Sequence, residues 1–261
     1  MHSVSPKAQI GEGCKIASTA IIHDNVRLGA GSIIDDWCVI GAPAGGEARS
    51  KLLDIGPDAH IRSHSILYEG STFGPQLKVG HHSMLRENLK VGKNLQVGTF
   101  NDLEGDAEIG DWVRFHSQVH LSKGSIVGDL SWIFPNVVTT NDPVPPSGLC
   151  VGTEIAPGGI VATGALLLPG CKMGIGAFVA ACAVAKGNVP AAGLVVGNPG
   201  KVLGSVRRVT YKPLDIQHPW MLHHADAYPE EAQELIRKLG ENVLAACDEL
   251  EESLRLSSAG A

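Results

Sequence analysis

An apolar residue recurs at every sixth position along most of this chain. The period begins at Val4 and reaches Ile40, runs from Ile55 to Ile133 without a polar exception, and returns from Ile155 to Ala185. A small residue commonly stands four positions after each apolar one. Because six is even, both positions point to the same side of short extended segments. The pattern predicts a parallel β-solenoid whose narrow interior combines large aliphatic and small side chains.

Glycine often follows the apolar residue of the repeat, as at Gly80 and Gly98. Glycine is the residue that adopts positive φ without strain. These positions therefore predict tight corners with a left-handed backbone.

Two interruptions and a change of period divide the chain. Residues 42–54 and 139–154 break the repeat and predict loops on a rigid column, where binding groups are commonly found. We take residues 1–205 as the solenoid domain and 206–261 as a C-terminal extension. Beyond Pro229 the apolar spacing changes to three and four, which predicts an amphipathic helix packed on the solenoid or on a partner subunit. Its apolar stripe comprises Ile236, Leu239, Val243, Cys247, Leu250 and Leu254.

Composition narrows the class of protein. The chain has 44% hydrophobic residues, 18% charged residues and a net charge of −6, which argue for a globular core and against a nucleic-acid-binding domain. The longest weakly polar stretches are too short for a membrane span, and the first residues lack an apolar signal core. The six cysteines form no CxxC pair. We therefore expect a cytoplasmic protein with reduced thiols and no metal site.

Two local motifs accompany the repeat. One is Val189-Pro190 followed by Gly197-Asn198-Pro199-Gly200-Lys201-Val202, and the other is Thr140-Asn141-Asp142-Pro143. With the repeat, they resemble the hexapeptide-repeat acyltransferases, most closely the acetyl-CoA-dependent enzymes that act on nucleotide-linked sugars. The resemblance implies a left-handed parallel β-helix with 18 residues per coil, followed here by a C-terminal α-helical segment. It also implies a homotrimer.

The same resemblance implies a function. The chain would move an acetyl group from acetyl-CoA to an amino or hydroxyl group of a sugar, by direct attack in a ternary complex. The residues it assigns to coenzyme A are Lys186, Asn198, Lys201, Arg207 and Arg208. Asn141 and Asp142 would bind the sugar or its amine, although Asn-Asp-Pro is also a strong turn sequence.

Histidines are the natural candidates for a general base near neutral pH. With 18 residues per coil, Val79, Val97 and Phe115 stack, and His81 and His116 lie just outside this row. We take His116 and His81 as the catalytic candidates. His82, Gln118 and the inward-facing Asn101 are the further candidates for substrate binding. In the acyltransferases that this chain resembles, the stretch that matches His116-Ser117-Gln118 is often rich in Gln and Asn. These histidines can therefore instead be hydrogen-bonding partners of the substrate.

Two alternative functions remain open at this point. An acyl-carrier-protein-dependent acyltransferase of the lipid A type would share the coil and the helical C-terminus. A non-catalytic β-helix assembly protein would share only the scaffold, and His81, His116 and His120 do not have a recognisable zinc-ligand spacing. The histidine-rich segment from His218 to His224 predicts a cap, because it lacks a carboxylate or cysteine at ligand spacing. A cysteine nucleophile is disfavoured because Cys14, Cys38, Cys171 and Cys182 are assigned to small inward positions.

Overall fold

The computed structural model describes residues 4–45 and 51–259. The chain winds into a parallel β-solenoid of about ten coils, so the predicted parallel β-helix is confirmed. Each regular coil contributes one short strand to each of three sheets. Partners in adjacent coils of the central region are 18 residues apart, as in the pairs Val79 with Val97 and Val97 with Phe115.

The three sheets are named here in the order in which the chain enters them. The strands of sheet 1 are Gln9–Ile10, Val26–Leu28, Leu53–Ile55, Thr72–Phe73, Lys90–Val91, Glu108–Ile109, Ile126–Val127, Glu154–Ile155, Lys172–Met173 and Asn188–Val189. The strands of sheet 2 are Lys15–Ile16, Ile33–Ile34, His60–Ile61, Lys78–Val79, Gln96–Val97, Arg114–Phe115, Trp132–Ile133, Ile160–Val161, Phe178–Val179, Gly193–Val196 and Lys201–Ser205, the last being antiparallel. The strands of sheet 3 are Ile21–Ile22, Val39–Ala42, Ile66–Tyr68, Met84–Leu85, Asp102–Leu103, His120–Leu121, Val138–Thr139, Leu166–Leu167 and Val184–Ala185.

The interior is formed by the apolar residue of each hexapeptide. Val97, Leu103 and Phe115 are at most 4% exposed, and the preceding residue of each strand points outward. Buried serines fill the small positions and are hydrogen-bonded. Ser65 Oγ, for example, donates to the Gly80 carbonyl at 2.7 Å. A narrow core therefore buries polar groups at little cost.

The glycines that follow the apolar residues have a different role from the predicted one. Gly80 and Gly98 are not among the residues with positive φ, so that expectation was wrong for them. A Cβ on Gly80 would lie 2.5 Å from the carbonyl carbon of Gly98. Glycine is needed there because the backbones of successive coils approach closely. The left-handed positions of the turn between sheets 2 and 3 are taken by His64, His82 and Phe100 instead.

The loops and the C-terminal helix depart slightly from their predicted limits. Ala42 still ends a strand and Leu53 already begins one, and residues 46–50 of the first loop lie outside the described residues. The second loop covers residues 140–153, because Thr139 belongs to a strand.

The extension contains the short strands Thr210–Tyr211 and Ile216–Gln217 and the helix Met221–His224, with 3-10 turns at Val206–Arg208, Lys212–Leu214 and Ala225–Ala227. The predicted amphipathic helix is confirmed at Glu230–Ala259. Ile236, Val243 and Cys247 are buried in a cluster with Trp112 and Leu130 of the solenoid. Leu254 is 40% exposed, so the stripe is covered only over its first part. Among the described helices, none has the length and apolarity required to cross a bilayer.

Candidate active site

His116 directly follows the sheet 2 strand Arg114–Phe115, and its side chain lies over the outer face of sheet 2. Its ring stacks on Phe134 at 4.6 Å between centroids and tilts against Trp132 at 5.9 Å. Partial burial lowers the pKa of His116. The side chain lines a cavity of about 390 Å³ over sheet 2, together with Lys78 and Arg114.

The other predicted surface residues of the turn between sheets 2 and 3 stand at an exposed corner. His81 Nδ1 is 2.8 Å from Ser63 Oγ. His82 stacks between His64 and Phe100, with centroids 4.6 and 4.9 Å away. Gln118 occupies the equivalent turn position one coil after Phe100, also with positive φ, and its side chain is exposed. The corner is therefore an exposed edge of stacked aromatic rings.

Asn101 is inside the solenoid, as its place in the repeat predicts. It is 2% exposed, and its Oδ1 accepts a hydrogen bond from the backbone N–H of Val119 at 3.0 Å. A side chain held this way bridges two coils. It does not reach a ligand at the surface, so we do not retain Asn101 as a substrate-binding residue.

A cluster that the sequence analysis missed lies on sheet 3. Asp102 and His120 occupy the same outward position on neighbouring strands, and His120 Nδ1 is 3.2 Å from Asp102 Oδ2. His120 Nε2 is 3.9 Å from Glu104 Oε1. The hydrogen bond to Asp102, with the nearby Glu104 charge, raises the pKa of His120. The signal in the sequence was the 18-residue spacing from Asp102 to His120, which places them side by side.

The predicted loop residue Asn141 reaches this cluster and not His116. Its Nδ2 is 3.5 Å from Glu104 Oε2 and 3.4 Å from the Lys123 carbonyl oxygen. Glu104 also accepts from the Lys123 backbone N–H at 2.9 Å, and Lys123 Nζ pairs with Asp106 at 2.6 Å. Glu104 thus connects the loop to the sheet that carries His120.

Asp142 stabilises the loop itself. Its carboxylate accepts hydrogen bonds from the backbone N–H groups of Ser147 at 2.8 Å and Val144 at 3.0 Å, and from the Ser147 hydroxyl. These bonds, led by that from Ser147, lower the pKa of Asp142. The Asn-Asp-Pro segment is therefore a turn that also presents Asn141 to the cluster.

The residues predicted for coenzyme A separate into two groups. The turn containing Asn198 rests on the last strand of sheet 3, where Val184 N–H donates to Gly197 O at 3.0 Å and Gly200 N–H donates to Val184 O at 2.9 Å. Lys186 and Lys201 are both exposed at this end.

Arg207 instead pairs with Asp248 at 2.6 Å and Glu251 at 3.3 Å on the C-terminal helix. The hydrogen bond to Asp248 raises the pKa of Arg207. Arg208 lines a shallow depression that also contains Glu251 and Arg255. The structure therefore assigns Arg207 to holding the helix, which sequence spacing alone could not show.

An apolar row joins His120 to this basic end. The outward residues of sheet 3 after His120 are Val138, Leu166 and Val184. Three strand steps of about 4.8 Å give a path of about 14 Å between His120 and the turn beside Val184.

Cysteine positions were predicted in part. Cys38 and Cys171 are buried, whereas Cys182 is exposed at a left-handed turn position, which corrects its inward assignment. Cys150 is also exposed, and its Sγ is 3.6 Å from Asn141 Nδ2. Among residues 4–45 and 51–259, no group of three or more His, Cys, Asp or Glu side chains is arranged to hold a metal ion.

A comparison with solved structures finds proteins with a similar fold. The UDP-N-acetylglucosamine acyltransferase from Campylobacter jejuni superposes with a TM-score of 0.52 at 14% identity, covering 91% of this chain and 82% of that one. This chain has the fold of the hexapeptide-repeat acyltransferases. PerB from Caulobacter crescentus, solved with CoA and GDP-perosamine, gives a TM-score of 0.30 at 14% identity over 59% of each chain.

A hexapeptide-repeat acetyltransferase from Vibrio cholerae, complexed with acetyl coenzyme A, gives a TM-score of 0.31 at 18% identity over 49% of this chain and 69% of that one. No protein-family model matches the sequence. No curated protein matches it either.

Proposed function

We propose that this chain is an acetyl-CoA-dependent acyltransferase that acts on an amino or hydroxyl group of a nucleotide-linked sugar. The observation that carries the proposal is the His120–Asp102 pair on sheet 3, connected by an apolar row to the exposed Lys186 and Lys201. A base, a nonpolar path and a cationic end together suit acyl transfer from a long phosphorylated thioester.

His120 is the proposed general base. Asp102 accepts the hydrogen bond from Nδ1–H and so leaves Nε2 to take a proton from the acceptor. The acceptor oxygen or nitrogen attacks the thioester carbonyl, and the C–S bond breaks as the tetrahedral intermediate collapses. The proton held on Nε2 then passes to the departing thiolate, which leaves the imidazole neutral. Asp102 stabilises the imidazolium between these steps.

His116, the base candidate from the sequence, is better suited to positioning the acceptor. It lies over sheet 2 and is stacked on Phe134, whereas Asn141 and the basic end flank sheet 3. His81 has a hydroxyl partner, Ser63, and no carboxylate partner among the described residues.

The donor is proposed to lie along sheet 3. Its acyl-pantetheine arm would follow Val138, Leu166 and Val184, with the phosphates beside Lys186 and Lys201. Charge-assisted contacts to phosphate are among the stronger hydrogen bonds in proteins. Arg207 takes no part in this arrangement because its guanidinium is paired with the helix.

A homotrimer completes the proposal. The outward residues of the first strands of sheet 3 are apolar, with Ile21 47% exposed. The neighbouring corner presents Trp37 and Phe100, which are 59% and 58% exposed. Large exposed apolar side chains grouped along one edge are typical of an interface. A solution mass of one chain, about 27 kDa, would contradict the trimer.

Acyl transfer is tested by following free thiol release from acetyl-CoA in the presence of a panel of amino-sugar and sugar nucleotides. Cys150 and Cys182 are exposed and therefore accessible to thiol reagents, so acetylated product must be confirmed by mass. Turnover with acetyl-CoA supports the proposal. Turnover with acyl-carrier-protein donors alone would assign the chain to the lipid A type instead, and no turnover with any donor would favour a non-catalytic scaffold. A Cys150→Ser variant with normal turnover is expected, since attack on the thioester is direct.

A further inference from the structure

The outer surface of sheet 2 is unusual for an acidic chain. Its outward positions from Lys15 to Phe178 contain no carboxylate; the residues are Lys15, Ile33, His60, Lys78, Gln96, Arg114, Trp132, Ile160 and Phe178. Sheet 1 is different, because two of its lysines are paired with acids on a neighbouring strand. Lys90 pairs with Glu108 at 2.8 Å and Lys172 with Glu154 at 2.6 Å. With a net charge of −6, an acid-free row is a local excess of positive charge.

Arg114 is the central cation of this surface. It is half-buried, and its guanidinium donates to neutral oxygens, the Asn94 carbonyl at 2.6 Å and Asn94 Oδ1 at 2.9 Å. No carboxylate lies within 4 Å of Arg114 or Lys78 among the described residues. Burial lowers the pKa of Arg114, which reflects a cation that has lost water and gained no counter-ion. An anion placed here would restore that lost stabilisation.

Arg114 and Lys78 line the same cavity of about 390 Å³, two strands apart on sheet 2. The far end of this cavity carries His60 and Arg62, which already face Asp35 at 3.3 and 3.9 Å. The uncompensated charge is therefore at the Arg114 end. Tyr228 from the C-terminal segment packs against Arg114, with its ring centroid 5.4 Å from the guanidinium carbon.

An aromatic cavity begins where the cationic one ends. Trp132, one strand beyond Arg114, lines both. The second cavity measures about 520 Å³, and its walls include Phe134, Phe178 and Trp220. His218 lies in the same wall, and burial lowers its pKa to about 4, so this ring is neutral at pH 7. The second cavity is thus walled largely by aromatic rings, and the His218 ring among them is neutral.

We propose that this groove on sheet 2 binds a nucleoside diphosphate, with the phosphates between Lys78 and Arg114 and the base beside Trp132. Aromatic rings stack on nucleobases whatever their identity, and paired cations recognise phosphates. The choice of ligand rests on the proposed function, because the nucleotide is the non-reacting part of the proposed acceptor. His116 lines the cationic cavity and stands in the turn that leads to sheet 3. The sugar of a bound nucleotide would therefore point towards the edge shared with the sheet that carries His120.

The test is calorimetric titration of the full chain with uridine diphosphate, pyrophosphate and uridine, with tryptophan fluorescence as a second readout. Uridine diphosphate should bind more tightly than either fragment and should quench fluorescence. A Trp132→Phe variant should lose most of the quenching. Arg114→Gln and Lys78→Gln should each weaken uridine diphosphate binding by roughly ten- to a hundredfold.

Lys90→Gln on sheet 1 is the matched control and should bind normally. Lys78 is exposed, so its variant remains informative if Arg114→Gln fails to fold. Unchanged affinity in Lys78→Gln or in a folded Arg114→Gln, or equal affinity for pyrophosphate and uridine diphosphate, would overturn the proposal. Acetyl-CoA binding is measured on the same proteins. If the protein binds uridine diphosphate in the groove but neither binds acetyl-CoA nor releases thiol, the proposed function is refuted. The proposal that the groove binds a nucleoside diphosphate would still hold.

Discussion

His120 Nδ1 lies 3.2 Å from Asp102 Oδ2, and the two residues are one coil apart on sheet 3. The solenoid fixes this pair because 18 residues of chain return to the same position one strand further along. A carboxylate against Nδ1 determines the tautomer of the imidazole and the direction of Nε2.

The pH dependence of turnover should identify the base. Activity requires a neutral imidazole, so the rate rises as pH rises through the pKa of the base. The pKa of His120 is raised above its usual 6.5 by Asp102, and an acid limb due to His120 therefore lies above pH 6.5. The pKa of His116 is lowered by burial, and its limb would lie below pH 6.5. We expect the acid limb of the kcat/KM profile to lie above pH 6.5. An acid limb below pH 6.5 would identify His116 as the general base instead.

Asp102→Asn should lower kcat and move this acid limb down. The amide keeps the shape of the side chain but removes the charge that stabilises the imidazolium. The control is Asp54→Asn on sheet 1, where the carboxylate faces Arg27 at 3.0 Å, and its pH profile should be unaltered. An unshifted limb in a folded Asp102→Asn enzyme would show that Asp102 does not act on the base.

Lys201→Glu should weaken acetyl-CoA binding without loss of the fold, since the side chain is exposed beyond the regular coils. A charge-assisted contact of about 1.5–3 kcal/mol corresponds to a rise in Kd of roughly ten- to a hundredfold. The Kd of acetyl-CoA is measured by calorimetry. Lys15→Glu, which makes the same charge change at the opposite end of the solenoid, is the control. Equal affinities in the two variants would remove Lys201 from the donor site.

Val97→Asp should prevent soluble folding. Val97 is 4% exposed and stacks between Val79 and Phe115, so the substitution places a carboxylate without a partner in the core. Such burial costs several kcal/mol, a large part of the stability of a domain. Val97→Ile is the matched control, and soluble yield and thermal unfolding are the readouts. A variant that melts near the wild-type temperature would show that the inward register is wrong.

The solenoid could be predicted from the sequence because its signal is one-dimensional. Inward positions such as Val97 and Phe115 repeat with a fixed period, and the small residues follow with the same period. The inward position of Asn101 could also be predicted by counting positions along the repeat. The structure adds that Asn101 bridges coils through Val119 and is closed to solvent.

The site was harder to predict because it depends on which face each turn residue presents. His116 and His120 are four positions apart, yet one lies over sheet 2 and the other on sheet 3. The period alone does not show that Asn141 folds back to Glu104 or that Arg207 is captured by Asp248. These contacts join the coil to a loop and to the C-terminal helix, whose positions no repeat specifies.

His120→Gln tests the central claim most directly, measured as thiol release at saturating acetyl-CoA and acceptor, beside calorimetric acetyl-CoA binding. Glutamine keeps a polar group at the position but cannot accept and return the proton. Loss of a general base predicts a fall in kcat of roughly 10²–10⁴-fold with the acetyl-CoA Kd unchanged. His116→Ala, the comparison, should raise KM for the acceptor and retain the acid limb. A His120→Gln enzyme with near-normal kcat would contradict the account.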